Sequence, residues 1–220
     1  MKRVVAGMVS FSAVLLLSTP AQAQTMKLGE VLVFTPSGGK PPADSTVHLL
    51  QADRGNRKGQ HVLVWTGGQS DARAADAVGA SEYHLLGANR VGAMPDVDVL
   101  GIHYIKVRPD RREAFERYVS ETLHPAVGNL RPDLRLLYYK AVRGPDAGTY
   151  VTIFALTRAS RDKYWPGGSD SDELRAAFKP VQGLTTELNT YFVEGSALTD
   201  PKFAAAVFES REWADFVLVR

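Results

Sequence analysis

One segment of this chain is repeated in similar form, and the repeat constrains the fold more than any other feature of the sequence. Residues 49–65 read LLQADRGNRKGQHVLVW and residues 138–154 read YYKAVRGPDAGTYVTIF, and the two segments align without a gap. The dipeptide Arg54-Gly55 falls on Arg143-Gly144, and Gly59 falls on Gly148. This spacing is too long for a solenoid unit and indicates a duplicated small domain.

The N-terminal segment predicts export. Lys2 and Arg3 precede an apolar run over 4–17, and Ala21-Gln22-Ala23 is typical of a cleavage site, so we expect a signal peptide over residues 1–23. The apolar run is too short for a permanent membrane anchor. The expected product is therefore a soluble protein of the periplasm or the exterior.

Charge and cysteine content exclude several classes of function. Removing the two basic residues of the leader from the 26 Lys and Arg leaves as many bases as the 24 Asp and Glu. No charge excess remains to indicate a nucleic-acid or anionic membrane partner. The chain has no cysteine, which excludes disulfides, thiolate metal sites and a cysteine nucleophile.

The second half of the chain predicts a β-α-β-β-α-β unit, the arrangement of ferredoxin-like domains. Pro125 is expected to end the first helix near Leu123. The predicted elements are a strand over 99–107, a helix opening at Pro109-Asp110, a hairpin of 134–142 and 149–157, a helix over 172–188 and a last strand over 191–194. The tail adds a helix over 201–208 and a further strand over 213–219.

The first half predicts a shortened copy of this unit. It contains a strand within 29–34, a hairpin of 47–52 and 61–66, and a weak helix over 70–80. We therefore divide the chain into a signal peptide (1–23), a degenerate ferredoxin-like repeat (24–97) and a complete repeat (98–220). Since residues 99–107 are apolar on both alternating faces, the second sheet is expected to cover the first and form a barrel with a ligand cavity between the sheets.

The segment DVLGIHYIKVRPDRREAFERYVSETLHPAV, followed by LRLLYYKAV and TYVTIFALTRASRDKYW, resembles the dimeric α+β barrel superfamily, with its antibiotic-biosynthesis-monooxygenase-like and stress-responsive groups. The resemblance implies an α+β fold. It also implies a range of activities that includes cofactor-free oxygenases, haem-degrading enzymes and isomerases. No catalytic motif of one group matches position by position, so no site residue is transferred.

Candidate site residues come from the sheet itself. His103 lies mid-strand among apolar neighbours, where it could act as a catalytic group or ligand contact, or be a hydrogen-bonded core histidine. Tyrosines could give an apolar pocket with hydroxyl groups, or pack in the core. A cluster after the second hairpin could close the barrel mouth or plug the core. The candidate ligand-binding residues are His103, Tyr104, Tyr138, Tyr150 and Trp165.

Other residues have simpler interpretations. His124, before Pro125, is expected to stabilise a helix C-terminus. The repeated Arg-Gly dipeptides are expected to serve hairpin turns, with glycine at positive φ and a solvated arginine. The histidines lack metal-ligand spacing, so no metal site is predicted.

Three functions are compatible with these patterns. The first is an exported barrel that binds a small apolar or aromatic molecule and could be a cofactor-independent monooxygenase-like enzyme. The second is a non-catalytic structural or stress-related protein whose duplicated sheet completes the core. The third is a haem-binding barrel that uses His103 or His124. Either one chain closes the barrel as a monomer, or two chains do so as a homodimer.

Overall fold

A computed structural model describes residues 25–36, 47–67, 78–89, 97–128, 135–179 and 208–219. Several predicted elements lie wholly or largely outside these ranges. They are the signal peptide, the helix over 70–80, the end of the helix over 172–188, the strand over 191–194 and the helix over 201–208. Within them, the strands are β1 Val31–Pro36, β2 Val47–Gly55, β3 His61–Gly67, β4 Ser81–Ala88, β5 Val99–Val107, β6 Arg135–Arg143, β7 Thr149–Leu156 and β8 Phe208–Leu218.

Helical structure is concentrated in the second half of the described residues. A 3₁₀ turn (Pro109–Arg111) leads into α1 (Arg112–Tyr118), a π turn (Val119–Leu123) and α2 (His124–Gly128). After β7 follow α3 (Arg158–Tyr164), a 3₁₀ turn (Pro166–Gly168) and α4 (Asp172–Phe178). Thr157 and Ser171 cap α3 and α4, since each side chain accepts a hydrogen bond from a backbone N–H three residues later. None of the helices in the described part of the chain is long and apolar enough to cross a membrane.

The strands described form one closed antiparallel barrel in the order β1-β3-β2-β8-β5-β7-β6-β4. Each half contributes four neighbouring strands, ordered fourth-first-third-second by their position within that half. The halves join at two seams, β2 with β8 and β4 with β6. This topology is an α+β fold of the dimeric α+β barrel type, as the sequence predicted. The barrel closes within one chain, which is one of the two arrangements that the sequence left open.

The C-terminal strand is longer than the sequence indicated and pairs with two other strands. A further strand was expected over 213–219, but β8 begins at Phe208 and pairs with both β5 and β2. It therefore occupies the fourth-strand position of the second half and forms one seam of the barrel. In the first half, β1 occupies the first-strand position, and a connection of ten residues separates it from β2.

Strand β5 is apolar on both faces because each face is covered. Leu100, Ile102 and Tyr104 point into the barrel, where they pack with inward side chains of the other strands. Val99, Ile105 and Val107 point outward under the helices, where they pack with residues such as Phe115 and Leu174. The expectation that a second sheet covers the inner face is confirmed.

The repeated Arg-Gly dipeptides lie at the two seams. Gly55 and Gly144 both have positive φ, near 86° and 92°. A Cβ on Gly55 would lie 2.3 Å from the carbonyl oxygen of Trp213, and a Cβ on Gly144 would lie 2.0 Å from that of Ala80. Turn chemistry is therefore only part of the reason for these glycines, because the backbone of the opposite half also leaves no space for a side chain.

The arginines before these glycines cross the same seams. Arg143 binds Glu82 on β4 at 2.8 Å, and Arg54 lies 3.9 Å from Asp215 on β8. Arg54 also donates to the carbonyl of Trp165 (2.9 Å) and to Asp162 (3.0 Å). The prediction that the arginine of this dipeptide is merely solvated is wrong for Arg54, because tertiary packing supplies two hydrogen-bond acceptors and a nearby carboxylate.

Alanine at a seam glycine should prevent proper closure of the barrel. Gly55→Ala and Gly144→Ala should each lower the free energy of unfolding by roughly 3 kcal/mol or more, because positive-φ strain and a backbone clash combine. Gly59→Ala is the control, since Gly59 has positive φ but a Cβ added there would meet no atom within 4 Å. This substitution should lower the free energy of unfolding by about 1 kcal/mol. Urea denaturation measures the three values, and equal losses would contradict the seam interpretation.

Candidate functional site

Strand register aligns one row of residues across the outer, helix-covered face of the second half. Trp213 on β8 pairs with His103 on β5, which pairs with Thr152 on β7. Thr152 pairs with Tyr138 on β6, and Tyr138 pairs with Gly87 on β4. The row brings an imidazole, a hydroxyl and a phenol beneath the helices and runs to the β4–β6 seam.

The structure places most of the predicted ligand-binding residues on this outer face. Tyr138 and Tyr150 belong to the layer between the sheet and the helices, and Trp165 packs against that layer. His103 shares the outward face of β5 with Ile105, whereas Tyr104 points into the barrel. The ligand space was expected between the two sheets, but four of the five predicted residues lie outside the barrel.

The inward side chains of the barrel pack in one apolar cluster. Tyr139 donates from its hydroxyl to the carbonyl of Gly29 (2.8 Å), and Tyr83 donates to Asp146 (2.6 Å). Arg57 stacks on the ring of Tyr104 with its Cζ atom 3.6 Å from the ring centre. These inward aromatic groups already have partners within the protein, so they act as core residues.

His103 is a neutral histidine at the centre of the outer row. It is half-buried, and its ring meets the edge of Phe154 at a centroid distance of 6.3 Å. Burial lowers the pKa of His103 to about 4, and the nearby Arg211 acts in the same direction. An imidazole without charge at neutral pH fits both a core residue and a hydrogen-bonding contact to a ligand.

His124 is the second imidazole at this face, and its position differs from the prediction. The helix was expected to end near Leu123, but the π turn is followed directly by α2, and the N–H of His124 bonds to the carbonyl of Val119. A proline removes one helical hydrogen bond and crowds an earlier carbonyl. The wider π turn absorbs that disruption before Pro125, so His124 lies inside a continuous helical segment and caps no terminus there.

The imidazole of His124 is buried without a complete set of partners. The residue is 4% exposed and packs edge-on against Tyr138, with ring centres 5.4 Å apart. Within the described chain its Nε2 has no hydrogen-bond partner, and neither does the buried hydroxyl of Thr152 in the same row. Burial lowers the pKa of His124 to about 4, so the ring is neutral at pH 7. A buried, unpaired polar atom costs about 1–3 kcal/mol.

Gly87 makes space for this ring. A Cβ at Gly87 would lie 2.9 Å from Nδ1 of His124, and the β4–β6 register shifts between Leu85 and Gly87. Bulges of this kind occur frequently beside functional sites. Sequence reasoning considered His124 as a helix cap or a haem ligand and did not place it in a groove, because the signals, a π turn and a strand bulge, appear only when β4 meets the helix.

A groove opens where the helical segment crosses this seam. Its volume is about 350 Å³. It combines an apolar floor with a polar rim and reaches the buried imidazole. The lining residues are Leu86, Glu113, Glu116, Arg117, Val119, Ser120, Glu121, His124 and Tyr138.

Tyr150 supports the groove from behind. Its hydroxyl donates to Oε1 of Glu116, which also binds Lys140 Nζ at 2.7 Å. Burial opposes the ionisation of Glu116, but the hydrogen bonds from Lys140 and Tyr150 hold its pKa below the ordinary value. Burial and the bond to Glu116 raise the pKa of Tyr150. The hydroxyl of Tyr150 is therefore committed to positioning Glu116.

Trp165 covers the opposite end of the outer layer. Its ring lies 5.2 Å from that of Phe154 and 6.0 Å from that of Tyr164. Tyr164 is fully buried, and Arg161 at the same turn binds Asp53 on β2 at 2.7 Å. This cluster packs against the helix–sheet layer of the second half and is tied to the end of β2.

The described residues around His124 do not fit haem. Haem carries two propionate groups, whereas the groove rim offers no free base to them: Arg117 pairs with Glu113, Lys140 pairs with Glu116, and Glu121 is left uncompensated among the described residues. Repulsion between carboxylates would oppose its binding. Among the described residues, no cluster of three or more metal-binding side chains occurs.

Comparisons with known proteins find similar solved structures but assign the chain to no family. No protein-family profile matches the chain, and no curated protein matches it. Solved structures do: a ferredoxin-fold protein of Listeria monocytogenes related to antibiotic biosynthesis monooxygenases is 16% identical and covers 90% of this chain and 96% of its own, at a TM-score of 0.44.

Two further solved structures have the same degree of likeness. A proposed monooxygenase of Fusobacterium nucleatum is 9% identical over 86% of this chain and 92% of its own, at a TM-score of 0.45. An anthrone oxidase-like protein is 11% identical over 86% of this chain and 90% of its own, at a TM-score of 0.44. The α+β barrel fold of this chain follows from its own strand topology.

The β2–β8 seam should respond to pH through Asp215. Asp215 is 9% exposed, and burial raises its pKa to about 6, with Arg161 and Arg54 opposing this shift and Asp53 and Asp162 adding to it. Because the folded pKa lies above the unfolded value, the contribution of Asp215 to stability is most favourable below about pH 4 and is lost as pH rises through 6. Asp215→Asn should remove this loss and raise the free energy of unfolding at pH 7 by on the order of 2 kcal/mol.

Asp162→Asn provides a control of opposite sign. Burial opposes ionisation of Asp162, but Arg161 and Arg54 hold its pKa below the ordinary value, so its contribution is lost as pH falls. Denaturation series from about pH 2.5 to pH 8 compare both variants with the native protein, since the Asp162 contribution is lost below about pH 4. A native-like pH profile in Asp215→Asn would refute the assignment of this pH dependence to Asp215.

Proposed function

We propose that this protein binds a small aromatic or apolar molecule in the groove at the β4–β6 seam and oxidises it without a cofactor, in the manner of a monooxygenase. The observation that carries the proposal is the buried Nε2 of His124, which has no described partner and belongs to a residue that lines the groove. A ligand hydroxyl or polarised C–H group would supply the missing partner. This would offset a free-energy cost that the empty site otherwise bears.

The neutral imidazole of His124 suits the first chemical step. A substrate with an activated CH₂ group between aromatic rings would lose one proton to His124, and the resulting carbanion would form an ion pair with the imidazolium. That opposite charge counteracts the burial that depresses the pKa of His124. The carbanion reduces O₂, one oxygen atom becomes the new carbonyl, and the other leaves as water with both hydrogens of the CH₂ group.

Tyr138 and Val119 would hold the substrate ring. Tyr138 is fully buried and packs against His124, and Val119 belongs to the π turn above it. An aromatic ligand in contact with these side chains gains burial and edge contacts with the phenol ring. The groove therefore supplies apolar contact on one side and a hydrogen-bonding imidazole on the other.

A specific observation favours a non-catalytic alternative. The Nε2 atom of His124 is buried, and its ring packs on Tyr138 as a core aromatic group would. In this second hypothesis the duplicated sheet only completes the core, and His124 is a space-filling residue.

The variant His124→Phe separates the two hypotheses. It keeps a ring of similar size but removes both nitrogens, so stability should stay equal or rise while probe binding and turnover fall at least tenfold. The measurements are urea denaturation, binding of 1-naphthol by calorimetry, and O₂ consumption with anthrone as the probe. His84→Gln is the control, because His84 is exposed on β4 and pairs with Glu82.

The outcomes are distinct. Native protein that binds neither probe, together with a stable His124→Phe variant, would support the structural alternative. Binding that His124→Phe leaves unchanged would overturn the proposed site. Hemin titration of the native protein and of His103→Ala tests the haem hypothesis, and the absence of a Soret shift would exclude it.

We also propose that the protein acts after export and as a monomer. Export rests on the N-terminal pattern of Lys2, Arg3 and Ala21-Gln22-Ala23. The monomer is supported by the closed topology, because both seams are paired within one chain and leave none of the described strands as a free barrel edge. Light scattering on protein purified from a periplasmic extract should give the mass of one mature chain.

A further inference from the structure

The charges at the rim of the groove are unevenly compensated. Glu113 binds Arg117 at 2.6 Å, and Glu116 binds Lys140 at 2.7 Å. These contacts neutralise two of the three glutamates that line the groove. Glu121 is the third, and none of the described residues supplies it with a basic partner.

Glu121 and His124 are close enough to contact one ligand. They are three residues apart on one helical segment, which corresponds to a rise of about 5 Å. Both line the groove, with Glu121 exposed at the rim and His124 buried beneath it.

The apolar side of the groove lies beside Glu121 and His124. Leu86 is 42% exposed on the strand bulge, and Val119 and Tyr138 are buried nearby. An aromatic body seated against these side chains would place one end at the unpartnered imidazole of His124 and the other at Glu121.

We infer that the groove selects aromatic molecules that carry a positively charged group, such as an aryl-alkylammonium, over neutral and anionic analogues. This inference rests on the proposed function, because it uses the same groove and the same imidazole. The aromatic part would pack on Leu86, Val119 and Tyr138, while the ammonium group would pair with Glu121. Since Glu121 is exposed, water and salt screen the pairing and the preference should be modest.

Three probes with one ring system test the charge preference. Calorimetry at low salt compares 1-naphthylmethylammonium, 1-naphthylmethanol and 1-naphthoate on the native protein. The cation should bind about two- to fivefold more tightly than the alcohol, and the anion more weakly than both. Raising the salt concentration should reduce the difference between cation and alcohol.

Two variants assign the preference to one side chain. Glu121→Gln should bring the affinity for the cation to that for the alcohol and leave the affinity for the alcohol unchanged. Glu209→Gln is the matched control, because Glu209 pairs with Lys106 on β5 and does not line the groove. It should keep the native preference.

The possible failures are distinguishable. If His124→Phe abolishes binding of all three probes but the native protein binds the cation and the alcohol equally, the charge preference is wrong and the proposed site stands. If Glu121→Gln keeps the native preference, the assignment to Glu121 is overturned. If none of the three probes binds to the native protein, both this inference and the proposed function fail.

Discussion

The fold depends on the close approach of two backbones at each seam of the barrel. At Gly55 the opposite strand comes so near that even a methyl group would overlap a carbonyl oxygen, and the same holds at Gly144. These contacts allow β2 to pair with β8 and β4 with β6, which turns two four-stranded sheets into one closed surface. Closure removes exposed strand edges from the described sheet and encloses its apolar inner face.

In the closed barrel, most of the candidate functional side chains lie on the outer face of the sheet. The inward side chains pack in one apolar cluster, and the hydroxyl groups of Tyr139 and Tyr83 are hydrogen-bonded, so these residues contribute to the stability of the fold. The outer face of the second half is different. It combines apolar packing under the helices with buried polar atoms at Thr152 and His124 that have no partner in the described structure. Unpaired buried atoms are costly in a core and useful in a binding site, and these two lie in one row of the sheet.

Local irregularities position the candidate site. The π turn over Val119–Leu123 carries the helical segment past Pro125 and brings His124 over the sheet. The bulge near Gly87 leaves the space that the imidazole occupies. Both departures from regular structure lie where β4 of the first half meets β6 of the second, so the duplication creates the site as well as the barrel.

The amino-acid pattern alone predicts the α+β class, the two repeats, most strands and the two-sided burial of residues 99–107. These features follow from short-range patterns, namely period-two apolar alternation and turn glycines repeated at a constant offset. It also identified His103 and the tyrosines as chemically interesting, but it could not assign faces, because both faces of a doubly covered strand are apolar.

Tertiary structure alone decided the position of β8, the second role of the Arg-Gly dipeptides and the burial of His124. Each depends on contacts between residues far apart in the chain: Gly55 with Trp213, Gly144 with Ala80, and Gly87 with His124. A pattern read along the chain reports the conformation of neighbours, whereas these contacts arise only when the sheet closes. The candidate site also depends on such contacts, since Leu86 in its lining comes from the first half and its imidazole from the second.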